Sequence, residues 1–405
     1  MKYVILIGDG LGDWPRPELG GRTPLAAATT PHLDFLAAHG LLGLARTVPE
    51  GLPPGSEVAC LSLMGYHPPG LISGRGPLEA ASQGLDFGPE DLVFRLNLIT
   101  VEETGGRFFI RDHSGGNIST PEAEELLAGL ARELPLAGGQ SLHLGVGFRH
   151  LLLWPDPAPD QAPSRPPHDW RDKDVSDFLA DPAARDLTAL IRASRPILES
   201  HPVNARRRAA GRLPANGLWL WGQGRRPRLK TYRERWGLTG AAVSAVDLIK
   251  GLGALTGLET PAVPGATGWL DTNYDGKVAA ALEALARLDL AVIHIEAPDE
   301  AAHQGDLDLK MRAIADFDAR VVGPMLKALP DFGDFRLLAA CDHLTPLETK
   351  THAADPVPFA LYGRPGPDRP RGRPFSEAEA AATGLLVSPG ADLGRLLFGP
   401  ENETA

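Results

Sequence analysis

Four short runs of apolar, often β-branched residues are typical of buried β-strands. They span residues 3–7, 290–295, 335–340 and 357–362. Each run is too short for a core helix and ends at glycine or polar residues. Amphipathic stretches that predict helices lie between them, at residues 277–288 and 307–329. Buried strands that alternate with helices predict an α/β fold, with a mostly parallel sheet covered by helices on both faces.

The middle of the chain has a different pattern. Strand signals are scattered there, at residues 93–100, 107–112 and 141–154, and a proline-rich loop follows at residues 155–169. Sheet-like segments with one or two helices predict a smaller α+β domain inserted into the first one. We therefore expect one domain from residues 1–78 and 234–405, and an inserted domain at residues 79–233.

Composition narrows the range of functions. The chain has 405 residues, enough for two domains, and 51 acidic against 40 basic residues give a net charge of -11. That balance argues against a general nucleic-acid binder. Two cysteines do not make a disulfide framework, and no apolar run reaches the roughly 18 residues of a membrane helix. With so few cysteines, a reducing cytoplasm is the simpler expectation.

Two polar residues stand where a strand ends or a helix begins. Asp9 follows the first strand between two glycines, a position that also suits an ordinary turn. Ser56 follows Pro53-Pro54-Gly55 at the start of an amphipathic helix. Free backbone N–H groups at a helix start favour phosphate binding. A plain N-cap serine remains the alternative at this stage.

Aspartates and histidines cluster at three further places. Asp299 and His303 are four residues apart, so a helix puts both on one face, as a metal pair or as a simple ion pair. Asp342 and His343 directly follow a predicted strand, and His352 comes shortly after. Mixed Asp and His ligands without Cys favour Mn²⁺, Zn²⁺ or Fe²⁺, and the set is large enough for two ions.

Longer motifs carry a resemblance to a known family. They are GDGLGDWPRPELGGRTPL, PGSEVACLSLMGY, GRGPLEAAS, PANGLWLWGQG, AVDLIKGLG, HIEAPDEAAH and CDHLTP with THAADPVPF. In this order, through nearly the whole chain, they resemble archaeal-type cofactor-independent phosphoglycerate mutases of the alkaline phosphatase superfamily. The resemblance implies an alkaline-phosphatase-like sheet with an inserted cap domain. One departure is Trp170, which follows PPHD where the family pattern continues with glycine.

The resemblance also implies a site and a reaction. Asp299, His303 and His352 would hold one metal ion; Asp9, Asp342 and His343 would hold the other, with Ser56 reaching it. Mn²⁺ is the expected metal, with Zn²⁺, Co²⁺ or Mg²⁺ as alternatives, and no 2,3-bisphosphoglycerate is needed. The phosphate of 3-phosphoglycerate would pass to Ser56 and return to the 2-hydroxyl of the retained glycerate.

A mutase must also hold the glycerate and exclude water, which gives the inserted domain a role as a substrate-binding cap. Candidates for binding the carboxylate and phosphate, each of which a surface position would explain equally well, are His113, Arg149, His168, Asp169, Arg225, Arg228 and Lys250.

Other functions use a similar metal site. Within the same group, proteins proposed to be homoserine kinases are one alternative, and phosphatases or phosphopentomutases of the wider superfamily are another. A phosphatase needs an open path for water, so release of inorganic phosphate discriminates it from a mutase. A non-catalytic metal-binding protein is the third alternative, against which the intact Ser56 argues. The sequence leaves the oligomeric state open.

Overall fold

The structure is a computed structural model that describes residues 1–71, 74–156, 165–363 and 372–401. Most of the proline-rich loop at 155–169, and most of a second Pro/Gly/Arg-rich loop at 363–374, lie outside the described residues. The strands found in the described ranges are β1 (Lys2–Gly8), β2 (Leu41–Ala45), β3 (Leu92–Thr104), β4 (Arg107–Asp112), β5 (Ser141–Val146), β6 (Arg149–Trp154), β7 (Gly217–Gly224), β8 (Gly240–Val243), β9 (Leu290–Ile295), β10 (Phe335–Cys341), β11 (Val357–Gly363) and β12 (Leu386–Val387).

Helices connect these strands. Over the same described ranges they are α1 (Pro24–Ala27), α2 (Pro31–His39), α3 (Ser56–Leu63), α4 (Gly76–Ser82), α5 (Thr120–Glu133), α6 (Ser176–Ala180), α7 (Arg185–Ser200), α8 (Pro202–Ala209), α9 (Tyr232–Trp236), α10 (Asp247–Leu255), α11 (Tyr274–Arg287), α12 (Ala297–Gln304), α13 (Leu307–Phe317), α14 (Gly323–Ala328), α15 (Glu377–Ala382) and α16 (Leu393–Phe398). None of the helices in these ranges is both long and apolar enough to cross a membrane.

The chain divides into two compact units. The first unit comprises Met1–Ile72 and Leu229–Ala405, and the second comprises Ser73–Arg228. The predicted boundaries, at residues 78/79 and 233/234, lie a few residues beyond these positions on the C-terminal side.

The first unit is built on a seven-stranded sheet in the order β12-β2-β11-β10-β1-β9-β8. β1 pairs in parallel with β10 and β9, and β9 in parallel with β8, whereas β11 runs antiparallel to both neighbours. Val4, Ile5, Leu6 and Ile7 of β1 are all completely buried. Successive strand residues point to opposite faces, so both faces of the sheet are covered. The predicted mostly parallel α/β sheet is confirmed.

Register at the centre of this sheet aligns the strand ends. Gly8, the last residue of β1, pairs with Cys341 of β10 and with Ile295 of β9. The residues that immediately follow these three strands therefore emerge side by side at one edge. Ligand sites of open parallel sheets form at this carboxyl edge.

The predicted continuous helix at residues 307–329 is wrong in one detail. α13 ends at Phe317, a single π-helical turn spans Asp318–Val322, and α14 resumes at Gly323. Pro324 lacks a backbone N–H, so it cannot continue the α-helical hydrogen bonding from the preceding turn. The Asp318 carboxylate instead accepts hydrogen bonds from the backbone N–H groups of His32 (3.2 Å) and Leu33 (2.6 Å), near the start of α2.

The second unit has a five-stranded sheet in which β4, β3, β6 and β5 follow one another and β7 pairs with β3. All of these pairings are antiparallel. The sequence predicted strand structure over residues 141–154. The structure has two strands of a hairpin there, because the chain reverses at Gly147-Phe148. The core packs Phe94, Leu96 and Leu98 of β3 with apolar residues of α5 and α7.

Candidate metal centre

Three neighbouring strand ends supply the polar residues of the first unit. Asp9 follows β1, Asp342 and His343 follow β10, and α12, which carries Asp299, begins two residues after β9. All four side chains are almost completely buried, with at most 5% of the residue exposed. Convergence of the strand ends, and not proximity in sequence, brings them together.

These residues form two overlapping groups that could each hold a metal ion. Asp9, Asp342 and His343 each offer one ligand atom, and the three atoms lie within 4.8 Å of one another; the same is true of Asp299, His343 and His352. His343 is common to both groups. Carboxylate and imidazole ligands without thiolates are typical of divalent metal sites for phosphoryl chemistry.

His303 lies beside the second group. Its Nε2 is 3.1 Å from Asp299 Oδ2 and 3.0 Å from His352 Nε2. The i,i+4 arrangement on α12 therefore gives the ion pair with Asp299 that the spacing allows, whereas His303 belongs to neither of the two groups of candidate ligands. Hydrogen bonding to the Asp299 carboxylate raises the pKa of His303 to about 9. Burial opposes ionisation of Asp299, but its bonds with His303 and His352 outweigh burial and lower its pKa.

Ser56 is the first residue of α3 and does not cap it. The N-cap is Gly55, and no side chain makes the capping hydrogen bond. The Ser56 Oγ lies 3.4 Å from Asp9 Oδ2 and 3.2 Å from His343 Nε2. The hydroxyl therefore faces the first metal group, whereas the N-cap alternative would turn it to the backbone of its own helix.

The carboxylates of this centre are crowded and buried, so a bound cation would stabilise them. Burial, and then the charges of Asp342 and Asp299, raise the pKa of Asp9 well above its ordinary value. In the described part of the chain, the buried Asp9 Oδ1 has no hydrogen-bond partner. A buried carboxylate oxygen without a partner is costly, and a coordinated divalent ion removes that cost. The residues present therefore fit divalent metal ions.

His294 is a functional residue that sequence reasoning missed. It is buried in β9, its Nε2 is 2.9 Å from Asp9 Oδ2, and its Nδ1 is 3.2 Å from Ser244 Oγ. Burial lowers its pKa to about 4, so the imidazole stays neutral and its Nε2–H donates to Asp9. A histidine inside an otherwise apolar strand was the available signal. Polar residues in such runs need a buried partner.

Two more ionisable groups, one buried and one half-buried, lie near the centre. Lys277 of α11 places its Nζ 3.4 Å from the His294 carbonyl, and burial lowers its pKa to about 8. Burial, and then the charges of Glu300 and Asp299, raise the pKa of Glu296 to about 8. The predicted Lys250 instead lies on α10, where its Nζ is 3.2 Å from Asp247 Oδ1.

A second polar cluster lies within the second unit. The His113 and His168 rings are 6.2 Å apart, and the His168 ring is 6.1 Å from the Trp221 ring. His113 Nδ1 is buried and has no hydrogen-bond partner among the residues that the structure describes. His168 Nε2 lies 3.6 Å from the carboxylate of Asp169. Three of the predicted substrate-binding residues therefore meet here.

Arginines surround this cluster, two of which the sequence analysis did not propose. The Arg95 guanidinium lies 4.2 Å from the centre of the Trp221 ring and pairs with Glu79 at 2.9 Å. Burial lowers the pKa of His168; the charge of Asp169 opposes this, and the charges of His113, Arg75 and Arg95 add to it. The predicted Arg149 lies over the Phe148 ring, whose centre is 5.8 Å from that of His113.

The other two predicted arginines lie against Glu90. Arg225 Nη1 donates to the Glu90 carbonyl, and Arg228 Nη2 is 3.2 Å from Glu90 Oε1. Arg228 has 83% of its side chain exposed. These positions give the two arginines a structural partner.

The fold and the site define a class: metal-dependent phosphoryl-transfer enzymes with a serine at the carboxyl edge of a mostly parallel sheet. A family model described as 2,3-bisphosphoglycerate-independent phosphoglycerate mutase matches residues 37–204. A probable enzyme of this name from Geobacter sulfurreducens is 46% identical over 399 residues, covering 98% of this chain and 100% of the relative. One from Methanothrix thermoacetophila is 48% identical over 402 residues, covering 98% and 100%.

A solved structure is also similar. The cofactor-independent phosphoglycerate mutase from Thermoplasma acidophilum has a TM-score of 0.66 at 30% sequence identity, covering 97% of this chain and 98% of that one. The chain belongs to the family of 2,3-bisphosphoglycerate-independent phosphoglycerate mutases.

Proposed function

We propose that this protein interconverts 3-phosphoglycerate and 2-phosphoglycerate without 2,3-bisphosphoglycerate, by way of a phosphoserine at Ser56. The observation that carries the proposal is the position of the Ser56 hydroxyl. It leaves the helix backbone uncapped and lies within 3.4 Å of Asp9 and 3.2 Å of His343. A serine in contact with a metal-ligating pair is suited to act as a nucleophile.

The proposed ligand sets are adapted from the two groups of the centre. Asp9, Asp342 and His343, with Ser56, would hold one ion. Asp299 and His352, with the adjacent His303, would hold the other, and His343 is common to both groups. When bound, two divalent ions would stabilise the charge on the attacking, leaving and phosphoryl oxygens. We take Mn²⁺ as the native metal, since the ligands are carboxylate and hydroxyl oxygens together with imidazole nitrogens, without thiolates.

In the first half of the reaction, the Ser56 Oγ, after losing its proton, forms a bond to phosphorus. The bond between phosphorus and the 3-oxygen breaks, and that oxygen takes up a proton to give glycerate. In the second half, the 2-hydroxyl loses its proton and its oxygen attacks the phosphoserine. The bond between phosphorus and the Ser56 oxygen then breaks and that oxygen takes up a proton, so atoms and charge balance over the cycle. His294 holds the Asp9 carboxylate in place throughout, from 2.9 Å.

We assign substrate binding to the second unit. His113, Arg149, His168 and Asp169, joined by Arg75 and Arg95, are the groups that would hold the carboxylate and hydroxyls of glycerate. Arginine forks match carboxylate geometry. Arg225, Arg228 and Lys250 contribute only if substrate draws them away from Glu90 and Asp247, their present partners. The reaction is a step of glycolysis and gluconeogenesis, and on that basis we propose a cytoplasmic enzyme.

The test is product analysis by ³¹P NMR. Metal-free protein is given 3-phosphoglycerate and Mn²⁺, with no bisphosphoglycerate. We expect an equilibrium mixture of the two phosphoglycerates and constant total ester phosphate. Stoichiometric release of inorganic phosphate would instead make the protein a phosphatase. ATP-dependent phosphorylation of homoserine, with no phosphoglycerate turnover, would make it a kinase.

A further inference from the structure

Thr345 lies between the two metal groups and has no assigned role. It is completely buried in the loop that follows β10, two residues after His343. Its Oγ1 is 2.5 Å from Asp299 Oδ1 and 3.2 Å from His343 Nδ1. One hydroxyl therefore touches a ligand that belongs only to the second group and the histidine that both groups share.

Proton counting fixes the direction of both hydrogen bonds. A threonine hydroxyl has a single proton to donate, and an ionised carboxylate can only accept. The Thr345 proton therefore goes to Asp299, and the hydroxyl oxygen must accept from His343. His343 can donate there only if its Nδ1 carries the ring proton. A neutral imidazole with a proton on Nδ1 leaves the lone pair of Nε2 free for a metal ion.

The geometry of the other ring nitrogen agrees with this tautomer. His343 Nε2 lies 3.2 Å from the Ser56 Oγ, 3.5 Å from Asp9 Oδ1 and 3.4 Å from Asp342 Oδ2. It therefore faces the nucleophile and the first metal group. His343 directs its free lone pair at the reacting region because Thr345 occupies the opposite side of the ring.

The backbone of Thr345 is held by a separate set of bonds. Lys310 is completely buried, and its Nζ donates to the Thr345 carbonyl at 2.8 Å, the Gly12 carbonyl at 3.0 Å and Asp13 Oδ2 at 2.8 Å. The Thr345 N–H donates to Gly12 at 3.2 Å. The loops after β1 and β10 are thus joined, so the backbone of Thr345 cannot shift without disturbing the buried Lys310–Asp13 ion pair and its associated bonds.

Gly10 leaves the space that the hydroxyl occupies. A Cβ on Gly10 would lie 2.7 Å from Thr345 Oγ1 and 2.8 Å from the Asp299 Cα, distances too short for a methyl group. Gly10 also has a φ of +60°, in the left-handed region that favours glycine. Glycine at this turn therefore permits the close approach of the threonine to Asp299.

We propose that Thr345 is a positioning residue: its hydroxyl holds His343 in the Nδ1-protonated tautomer and orients Asp299, which pre-forms the two metal groups. The inference rests on the proposed function only for the identity of the ligands. Partners of metal ligands usually set the tautomer and orientation of the ring, and their loss costs about 10–100-fold in metal affinity or activity.

The chain offers a matched pair of variants for the test. Thr345→Val keeps the shape but removes the hydroxyl, and Thr345→Ser keeps the hydroxyl. Long-range ¹H–¹⁵N NMR of the metal-free protein reads the tautomer of His343, and titration calorimetry with Mn²⁺ alone reads affinity. We expect the Nδ1–H form in the wild type and in Thr345→Ser, and an Mn²⁺ affinity about 10–100-fold weaker in Thr345→Val.

Several results would overturn the proposal. One is an Nε2–H tautomer in the metal-free wild type, a measurement that needs no variant to fold. Another is an Mn²⁺ affinity of Thr345→Val within twofold of wild type, or Thr345→Ser as impaired as Thr345→Val. A merely structural role would lower the melting temperature of Thr345→Val and leave the tautomer and Mn²⁺ affinity unchanged. Tight Mn²⁺ binding by a wild type that lacks mutase activity would reject the proposed function alone.

Discussion

The metal centre of the first unit and the histidine–arginine cluster of the second unit differ in how exposed their residues are and in which elements position them. In the centre, Asp9, Asp342 and His343 are at most 1% exposed, and they emerge from adjacent parallel strands. In the cluster, His168 has 58% of its side chain exposed, and its neighbours come from an antiparallel sheet and its loops. The first arrangement is fixed by backbone topology, and the second depends on side chains that reach toward one another.

This contrast separates two kinds of function within one chain. A buried centre with fixed ligands suits chemistry, in which small errors in position are costly. A half-exposed, cationic cluster suits recognition of an anion that arrives from solvent. Substitutions in the centre should therefore abolish turnover, whereas those in the cluster should weaken substrate binding.

The largest effect is expected at Ser56. Ser56→Ala removes the proposed nucleophile and leaves the six Asp and His ligands, so turnover should fall by about 10⁶-fold while the protein folds and binds metal. Ser56→Cys should rescue poorly, because a soft thiolate suits a hard metal pair badly. Steady-state kinetics measure the turnover of each variant, and elemental analysis measures its metal content. Near-normal turnover by the Ser56→Ala variant would contradict the phosphoserine mechanism.

The same contrast explains what the sequence could predict. Asp9, Asp342 and His343 follow recognisable buried strands, and the carboxyl ends of parallel strands meet at one edge. The α/β fold and the convergence of these residues could therefore be predicted from pattern, whereas their division into ligand sets came from the family resemblance. His294 was missed because a histidine inside a strand gives no local sign that its partner is an aspartate on the neighbouring strand.

No comparable rule predicts from the sequence which residues form the cluster of the second unit. Arg95 lies within β3, and only the pairing of β3 with β7 places it against Trp221. Arg225 and Arg228 looked equally suitable in sequence, yet both lie against Glu90. Long side chains of antiparallel sheets reach many neighbours, so their partners depend on tertiary packing.

A second large effect is expected at Arg207, which stabilises the loop that carries His113. Its guanidinium is completely buried, pairs with Glu122 at 2.7 Å, and donates to the carbonyls of Gly115 and Gly116. Arg207→Met should lower the free energy of unfolding by about 3–5 kcal/mol, because it breaks a buried ion pair. Urea titration measures this.

Arg206 provides the matched control for that experiment. It is the adjacent residue, pairs with Glu125 at 2.9 Å, and has 57% of its side chain exposed. Arg206→Met should change the free energy of unfolding by no more than about 1 kcal/mol. Equal losses in the two variants would mean that the buried pair has no special role.

A smaller effect is expected at Arg149, in the cluster. Arg149→Gln should raise the KM for 3-phosphoglycerate about tenfold or more, with a smaller change in kcat, because a charge-assisted hydrogen bond is worth about 1.5–3 kcal/mol. Arg228→Gln is the control and should leave KM unchanged. Steady-state kinetics of both variants test the division between binding and chemistry. A loss confined to kcat in Arg149→Gln would contradict it.

The smallest effect is a pH dependence of stability from His150 of β6. Burial lowers its pKa from 6.5 to about 4. Between these values the unfolded chain binds more protons than the folded one, so stability is full above pH 6.5 and is lost as pH falls toward 4. The loss should be on the order of 1–3 kcal/mol.

His150→Asn tests this assignment. His150 Nδ1 accepts from the Gly145 N–H at 3.1 Å, and the Asn side-chain oxygen can replace that acceptor. Urea titrations at several pH values should give a flatter profile between pH 4 and 6.5 for the variant. An unchanged profile would assign the acid sensitivity to other groups.

The central claim is that phosphate passes through Ser56 at a metal-dependent centre. The most direct test incubates the protein with phosphoglycerate that carries labelled phosphate, quenches it quickly, and maps the label by peptide mass spectrometry. We predict label on the peptide that contains Ser56 when Mn²⁺ is present, none after exhaustive metal removal, and no exchange of product phosphate with excess unlabelled inorganic phosphate. Label on another residue, or full turnover by protein shown to be metal-free, would contradict the account.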